Sequence, residues 1–458
     1  MLLVRYDLIS IDKKILLFGL LSIISTRVMA EGSRELLGLQ GERAYLEFSE
    51  DTTANIKHQA IIKVFVKAGE QIHLGSSVPE SANGPADIVY RSPSGNQNGS
   101  CDVQENGSGL IDTLAKEQAG PALIADNGYN ACQVTANETG VYEIEFHAPK
   151  TTGNPDKQLA VDEAFPIDDS QNKAVAAWDV TVIDPNPNPP SEQKGRAYAN
   201  YLPLHMAKAG AALYAQPFVL SDTGYLYRVN LNGNDPWQFM FFANSKGFQD
   251  DDGNALFKSV PASGAQVHNP STPDKPASND ITHKIFFNLP DNDLPSAAQT
   301  PSGQTWLLSE QPALPHISNF TFTGSEGTSN QLGSSPLNGA FSFETDSPGS
   351  YILTIDVNQN NIYGDDNDKL LSGPANKGQN TVQWNGLDGN NDPLAPHAFS
   401  YGAKLSLIVD DVHFPFLDVE NNPKGLIVQQ LKQNDPTQIE NSIVYYNNQD
   451  INGQGAPE

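Results

Sequence analysis

Five oxygen-bearing side chains occur close together after one predicted strand, and their types suit a calcium ion. Asp and Asn alternate directly after the strand, and further Asp residues follow on the returning side of the loop. The candidate ligands are Asp356, Asn358, Asn360, Asp365 and Asp368. Calcium takes about six to eight oxygen ligands, which the carboxylates and amide carbonyls of one loop can supply. The sequence therefore predicts a calcium-ordered loop, and the alternative is an acidic, solvated hairpin turn.

A second, shorter loop of the same composition follows the next predicted strand. Asp388, Asn390 and Asp392 again stand at alternate positions, and they form a second candidate metal loop with fewer oxygens. The first loop is not an EF-hand, because Asn361 and Asn367 stand where that motif has its Gly and its bidentate Glu. A solvated turn is the alternative for the second loop as well.

Residue patterns typical of catalysis are missing from the sequence. The nine histidines are scattered, and none belongs to an H-E-x-x-H motif or to a pair at zinc spacing. The sequence has no G-x-S-x-G elbow, phosphate loop or dinucleotide fingerprint. Catalytic groups can also be far apart in sequence, as the paired carboxylates of glycosidases are. On this basis we expect a protein without enzymatic activity.

The densest aromatic cluster of the chain lies between residues 218 and 242. Trp237, Tyr225 and Tyr227 are its candidates for stacking on a sugar or another ligand. Aromatic residues are also common in strands, where they fill the core. Both interpretations, a ligand-stacking surface and an ordinary core, stay open at this stage.

Alternating apolar and polar residues predict that strands position these groups. Before the first loop, Tyr351, Leu353 and Ile355 alternate with smaller or polar residues, which indicates a sheet with one buried face. Similar short runs recur along the chain between Gly, Pro and Asn turn signals, with one short helix predicted at 109–118. This pattern predicts an all-β protein of tandem immunoglobulin-like β-sandwich modules.

The first 30 residues have the pattern of a cleaved signal peptide. Lys13 and Lys14 precede an apolar run of about ten residues, and 28–30 form a small-residue cleavage site. Outside the cytoplasm, the two cysteines Cys101 and Cys132 are expected to form a disulfide, rather than two thiols or a metal pair. No later run is apolar and long enough to span a membrane. We therefore expect a secreted or bacterial cell-surface protein.

The charge of the chain limits its partners. It has 54 acidic and 27 basic residues, and its net charge is −27. Such a charge repels nucleic acid and anionic membranes, and it suits cation binding. We expect no nucleic-acid partner, whereas a cell-surface glycan or a protein ligand is compatible with the composition.

Shifts in composition predict the domain boundaries. The run DPNPNPP cannot join a β-ladder and reads as a stiff linker between modules. The predicted segments are a signal peptide (1–30), a disulfide-linked β-sandwich module (31–183), a proline-rich linker (184–194), an aromatic-rich β module (195–310), an immunoglobulin-like module with the Asp/Asn loops (311–428), and a polar tail or the start of a further module (429–458).

Two motifs of the third predicted module resemble those of known families. GSYILTIDVNQNNIYGDDNDKLL resembles the calcium-binding loop of serine-aspartate-repeat B-type domains of bacterial surface proteins. GQNTVQWNGLDGNNDPLAPHAFSYGAKL resembles the immunoglobulin-like domain of flagellar hook-capping proteins. The positions that match this second motif are Trp384, Gly386, Asp388, Leu394 and Tyr401.

The whole arrangement resembles the amino-terminal region of large bacterial cell-surface, adhesin-like proteins. This resemblance implies a structural or adhesive role without enzymatic activity. Two alternatives remain: a secreted carbohydrate-binding or carbohydrate-active protein that uses the aromatic module, and an extracellular assembly scaffold.

Overall fold

The computed structural model describes most of the chain beyond residue 30. The described residues are 3–4, 31–79, 87–104, 107–235, 237–253, 266–274, 280–309, 315–332, 338–365, 367–394, 401–408, 412–415, 422, 424–432, 434–442 and 444–445. The predicted signal peptide lies outside them except for Leu3–Val4. Among the described residues, no helix is long and apolar enough to cross a membrane.

Of the residues that the structure describes, 45% are in strands and 4% in helices, which confirms the predicted all-β class. The strands up to residue 230 are β1 (Leu3–Val4), β2 (Tyr45–Thr53), β3 (Ile56–Gln59), β4 (Ile62–Val66), β5 (Gln71–Ser76), β6 (Ile88–Arg91), β7 (Gly99–Cys101), β8 (Cys132–Thr135), β9 (Gly140–Phe146), β10 (Ala174–Val175), β11 (Trp178–Asp184), β12 (Ser191–Gln193), β13 (Ala197–Ala199), β14 (Leu202–His205), β15 (Phe218–Leu220) and β16 (Leu226–Asn230).

The later strands are β17 (Gln238–Phe241), β18 (Phe248–Gln249), β19 (Gln266–Val267), β20 (Lys284–Phe286), β21 (Ala297–Thr300), β22 (Gly303–Trp306), β23 (Ile317–Gly324), β24 (Gly339–Thr345), β25 (Gly349–Asp356), β26 (Lys369–Ala375), β27 (Gly378–Trp384), β28 (Gly402–Ile408), β29 (Ile427–Lys432), β30 (Asp435–Asn441) and β31 (Val444–Tyr445). The helices are α1 (Leu114–Ala119) and the 3-10 turns Ser33–Leu36 and Asp169–Gln171. Helix α1 begins later than predicted because Thr113 caps it, with its side chain accepting from the Lys116 N–H.

Beyond the predicted signal peptide, the chain forms two compact units, unit 1 (31–311 and 412–458) and unit 2 (312–411). Unit 1 has three large antiparallel sheets with the strand orders β10-β2-β14-β17, β12-β11-β5-β8 and β30-β29-β16-β15-β20-β13-β4-β9-β6-β7. Strand β3 pairs with β2, and β18-β19 and β21-β22 are small hairpins. The sequence of unit 1 is therefore interrupted by that of unit 2.

The first two predicted modules share one sheet and one core, which differs from the predicted boundary at 184–194. In the ten-stranded sheet, β13 pairs with β4, and Ala199 lies opposite Ile62. One hydrophobic cluster packs Phe65 and Val141 against Tyr198. The prolines occupy the turn of a β11–β12 hairpin rather than a linker, because the residues on either side of them pair.

The end of the chain also differs from the predicted polar tail. Strand β29 pairs with β16, so that Val428 lies opposite Val229. Val428 and Leu431 are buried. Their burial stabilises the pairing of this segment with β16, although Asn and Gln dominate its composition. Residues 446–458 lie outside the described part of the chain.

Unit 2 is an immunoglobulin-like sandwich. Its two antiparallel sheets have the orders β23-β24-β27 and β26-β25-β28, and the connections β24–β25, β26–β27 and β27–β28 cross between the sheets. The core between them includes Phe343, Leu353 and Val382, and Trp384 is buried against Tyr401 with ring centroids 5.9 Å apart. Alternating residues of β25 and β27 point into this core, as the sequence pattern predicted.

The predicted disulfide is present in unit 1. Cys101 at the end of β7 is bonded to Cys132 at the start of β8, and their Cα atoms are 6.2 Å apart. The bond joins an edge strand of the ten-stranded sheet to an edge strand of the four-stranded sheet. It therefore fastens two layers of unit 1 to each other.

Candidate functional site

Two neighbouring strands of unit 2 deliver the first Asp/Asn loop. Asp356 is the last residue of β25, and Asp368 directly precedes β26. Because β25 and β26 are antiparallel neighbours, both carboxylates lie at the same end of the sheet. Asp356 is 1% exposed and Asp368 is 6% exposed, so both charges are taken out of water.

The loop between these strands folds around the two buried carboxylates. Asp356 accepts hydrogen bonds from the backbone N–H groups of Asn360 (3.2 Å) and Asn361 (2.9 Å). Oδ2 of Asp368 accepts from the Gly364 N–H at 2.7 Å. Oδ1 of Asp368 is buried and has no hydrogen-bond partner in the part of the chain that the structure describes. This oxygen is an acceptor that a bound cation would satisfy.

The other predicted ligands lie on the outer side of the same loop. Asn358 and Asn360 donate from Nδ2 to Oδ2 of Asp365, over 2.9 and 2.6 Å. The amide oxygens of the two Asn side chains accept from the backbone N–H groups of Asn360 and Ile362. The structure thus gathers all five predicted ligands in one loop, with the Asn oxygens engaged in turns. Asp366 lies outside the described residues.

The electrostatics of the loop favour a cation. Burial raises the pKa of Asp368, and the negative charges of Asp365 and Asp356 raise it further, against the opposing effect of the N–H dipoles of Gly364 and Val357. A cation would offset both the burial and the repulsion.

The loop in this conformation is not a complete metal site. Among the described residues, no three His, Cys, Asp or Glu side chains are grouped so that they could hold a metal. The side-chain oxygens of Asn358 and Asn360 would have to rotate from their backbone donors to join a coordination sphere. Calcium binding by these residues stays a prediction.

The second loop lies against the first. The Gly389 N–H donates to the backbone oxygen of Asn367 at 2.9 Å, and Lys369 Nζ donates to Asn391 Oδ1 at 2.7 Å. Within the second loop, Oδ1 of Asp388 accepts from the backbone N–H groups of Asn390 (2.9 Å) and Asp392 (2.8 Å). These are the bonds of an Asx turn. These hydrogen bonds hold the second loop against the first. Metal binding by the second loop stays a prediction.

The three aromatic candidates have different environments. Tyr225 is 0% exposed and Tyr227 is 2% exposed, whereas Trp237 is 40% exposed. Tyr227 lies within β16 in the ten-stranded sheet, where its ring is in the interior rather than at a surface. This corrects the predicted stacking set, because a sugar could not reach either tyrosine ring. Trp237, directly before β17, is the one of the three that solvent reaches.

A buried polar cluster of unit 1 was not predicted. Glu47 on β2 contacts Nδ1 of His58 on β3, and it accepts from Lys173 Nζ (3.2 Å) and Gln238 Nε2 (2.9 Å). Oγ1 of Thr53 lies 2.9 Å from Nε2 of His58. The sequence patterns did not predict the β2–β3 hairpin, which brings Glu47 on one strand close to His58 on the other. Lys173 and Gln238 come from distant parts of the chain.

Comparisons with known proteins give little information about this chain. No family model matches the sequence, and no curated protein matches it. Among solved structures, a DUF4785 family protein from Legionella pneumophila is 11% identical, with 89% of each chain covered and a TM-score of 0.14. A likeness of this degree supports no conclusion about fold or function.

Proposed function

We propose that this chain is a secreted or bacterial cell-surface protein with a structural or adhesive role, in which calcium orders the loop that follows β25. The observation that carries the proposal is the immunoglobulin-like sandwich of unit 2, which holds two buried carboxylates and an unsatisfied Asp368 oxygen at one end. The sandwich supplies a rigid body, and the loop supplies a point at which extracellular calcium acts.

The size of the calcium effect follows from typical extracellular sites. Such sites have dissociation constants of about 10⁻⁴–10⁻³ M, so about 1 mM calcium would stabilise the folded state by roughly 0.4–1.4 kcal/mol. This energy is enough to order a loop but not to create a domain. The ligands would be Asp356, Asn358, Asn360, Asp365 and Asp368.

Thermal melting with and without a chelator tests the calcium site. The melting temperature of unit 2 should rise with millimolar calcium and fall with chelator, and Asp356→Ala should abolish the difference. Glu344→Gln is the matched control, because Glu344 is an exposed carboxylate on β24 of the same unit. A wild-type melting temperature that is the same with calcium and with chelator would contradict the site.

Surface location can be tested separately. The signal-peptide pattern, the disulfide and the acidic charge support export. Sequencing the amino terminus of protein from the producing cells should identify Glu31 as the first residue, and external protease should degrade the protein on intact cells. Protein that keeps its first residues and resists external protease would contradict export.

The exposure of Trp237 favours carbohydrate binding as a second candidate function. An exposed indole offers the apolar face on which sugar rings stack. A glycan array with wild-type protein and Trp237→Ala would test it, and binding should be lost while the melting temperature is unchanged. Leu39→Ala is the control, because Leu39 is another exposed apolar residue of unit 1. Equal glycan binding by the wild type and Trp237→Ala would contradict this function.

A further inference from the structure

The β2–β3 hairpin of unit 1 places a hydroxyl, an imidazole and a carboxylate in series. Oγ1 of Thr53 lies 2.9 Å from Nε2 of His58, and Nδ1 of His58 contacts Oε2 of Glu47. His58 and Glu47 are buried, whereas Thr53 is partly exposed near the tip of the hairpin. This order of groups is the one by which a base activates a hydroxyl nucleophile and a carboxylate orients the base.

The surroundings of Glu47 keep it ionised and fixed. Burial alone would raise the pKa of Glu47, but the hydrogen bond with His58 and the positive charge of Lys173 help to lower it overall. Gln238 Nε2 also donates to the carboxylate. An ionised carboxylate can only accept, so Nδ1 of His58 carries a proton. In the neutral imidazole, Nε2 then accepts the Thr53 hydroxyl proton.

Three other titratable groups, Asp51, Lys173 and His205, lie around His58. Asp51 and Lys173 form an ion pair with a 2.8 Å contact beside it. Burial lowers the pKa of His205 to about 4, so His205 is neutral at physiological pH. The groups that face His58 are thus two carboxylates, one ammonium group and one neutral imidazole.

The turn after Thr53 has an unusual backbone. Ala54 and Asn55 both have positive φ, of 50° and 64°, which gives a two-residue hairpin turn in the left-handed region. Such turns favour Asn and Gly, so the backbone of Ala54 is strained there. Asn269 Nδ2 donates to the Asn55 carbonyl at 2.7 Å and holds the turn from another segment. Strained backbone segments cluster at functional sites, and this one adjoins the Thr53 hydroxyl that contacts His58.

We propose that Thr53, His58 and Glu47 form a nucleophilic site that transfers the acyl group of a carboxylic ester. The Thr53 oxygen bonds to the ester carbonyl carbon while its proton passes to Nε2 of His58. When the C–O bond to the alcohol breaks, the alcohol takes the proton from His58.

The second half of the reaction restores the site. Water attacks the acyl-Thr53 ester, its proton passes to His58, and the bond to Thr53 breaks as Thr53 takes the proton back. The products are one carboxylic acid and one alcohol, and the reaction consumes one water. In this scheme Thr53 and His58 are catalytic residues, and Glu47 is a positioning residue. This activity would go beyond a structural or adhesive role.

A fluorophosphonate probe tests the nucleophile directly. The Thr53 oxygen would bond to phosphorus, fluoride would leave, and the hydroxyl proton would pass through His58 to water. Peptide mass mapping of the purified protein should find one adduct, on Thr53. Thr53→Val should abolish it, whereas Thr53→Ser, with a less hindered hydroxyl, should be labelled at least as fast as the wild type.

The base is tested with two further variants. His58→Gln should slow labelling by about 100-fold or more, the usual contribution of a general base. Glu47→Gln should shift the pH profile of labelling, which a purely structural role would not do. Thr52→Val is the matched control, because Thr52 is the neighbouring exposed hydroxyl on β2, and it should label like the wild type.

The outcomes are decisive even if a buried variant unfolds. Thr53→Val nearly preserves the side-chain shape at a partly exposed position, and its melting temperature should match that of the wild type. No adduct on the folded wild type, or the same labelling rate in Thr53→Val, would overturn the proposal. An adduct on Thr53 that forms equally fast in folded His58→Gln would overturn the role of the base.

Discussion

The carboxylate of Glu31 accepts a hydrogen bond from the backbone N–H of Arg196 over 3.1 Å, although 165 positions separate the two residues. The N–H groups of Gly195 (2.7 Å) and Ala197 (3.1 Å) donate to the same carboxylate. The guanidinium of Arg196 turns the other way and donates to Glu70, with two nitrogen–oxygen contacts of 2.8 and 2.9 Å. The backbone that follows the proline-rich turn is thus held from two sides.

The first prediction concerns the pH dependence that Glu31 confers. Burial raises its pKa to about 8, against the lowering effect of the three N–H donors. A carboxyl with a raised folded-state pKa contributes its full stability below its unfolded pKa, and loses that contribution as the pH rises towards 8. Relative to Glu31→Gln, the wild type should lose up to about 4 kcal/mol of unfolding free energy between pH 5 and pH 8.

Urea unfolding of both proteins at several pH values measures this difference. Because all other ionisable groups are shared, the difference between the two proteins isolates Glu31. If the wild type instead gained stability over Glu31→Gln between pH 5 and pH 8, the carboxylate would be ionised in the folded state and the prediction would be wrong.

The second prediction concerns Gly195. Its φ is +72°, and a Cβ there would lie 1.9 Å from the Leu289 carbonyl oxygen. Gly69 also has a positive φ, of +94°, but its Cβ would meet nothing within 4 Å. Gly69→Ala should therefore cost about 1 kcal/mol from backbone strain alone. Gly195→Ala should cost at least about 2 kcal/mol more, because the backbone must also move.

Thermal and urea unfolding of the two alanine variants gives the comparison. Equal losses of unfolding free energy would mean that the segment after the proline-rich turn can shift freely. That result would support a flexible linker at 184–194 and would contradict the packing of this segment within unit 1.

The sequence predicts strands well in this protein because alternation is a local property. Strand β25 contains Tyr351, Leu353 and Ile355, the alternating residues that predicted it. Alternation shows which side chains share a face, but it does not show which strand lies alongside. The pairing of β16 with β29 joins segments about 200 positions apart, and no local pattern marks it.

The same limit applies to the sites. The five loop ligands lie within thirteen positions, so their proximity could be predicted from sequence, whereas the burial of Asp356 and Asp368 depends on the packing of the sandwich. The sequence shows that Tyr225 and Tyr227 are aromatic, but not whether they lie at a ligand-stacking surface or in the core. Their burial follows from how the strands pack in three dimensions. Lys173 reaches Glu47 across more than a hundred positions, which sequence reasoning could not foresee.

The third prediction concerns the buried ion pair between Arg43 and Glu117. Two guanidinium nitrogens of Arg43 each donate to Glu117 at 2.7 Å, and the Ser33 hydroxyl donates to the same carboxylate. Both charged side chains are almost fully buried. Removing one partner leaves the other charge buried alone, so Glu117→Ala should cost about 3–5 kcal/mol of unfolding free energy.

An exposed ion pair of the same unit is the control. Lys57 and Glu50 are also 2.7 Å apart, but their side chains are 52% and 70% exposed. Glu50→Ala should cost much less unfolding free energy than Glu117→Ala, because solvent screens the exposed pair. Replacing both buried partners, as in Arg43→Met with Glu117→Leu, should be less destabilising than Glu117→Ala. Denaturant unfolding measures the unfolding free energy of each variant. If the double variant is less stable than Glu117→Ala, the loss in Glu117→Ala does not come from an isolated buried charge.

The fourth prediction concerns Asp368. The difference in stability between the wild type and Asp368→Asn should change sign when calcium is added. The pKa of Asp368 is raised by burial and by the carboxylates of Asp365 and Asp356, so its ionised form is destabilising at neutral pH without a cation. In chelator, Asp368→Asn should be at least as stable as the wild type, because Asn keeps an acceptor for the Gly364 N–H and removes a charge. In millimolar calcium the wild type should gain about 0.4–1.4 kcal/mol and the variant less.

Differential scanning calorimetry at pH 7 in chelator and in calcium measures both signs. The stability order of the two proteins should change between the two conditions, whereas Glu344→Gln should follow the wild type in both. Repeating the chelator measurement at lower pH adds a check. Because the raised pKa destabilises the ionised form, the advantage of Asp368→Asn should shrink as Asp368 becomes protonated. If the wild type is the more stable protein in chelator at pH 7, the carboxylate repulsion in this loop is too weak to favour a cation.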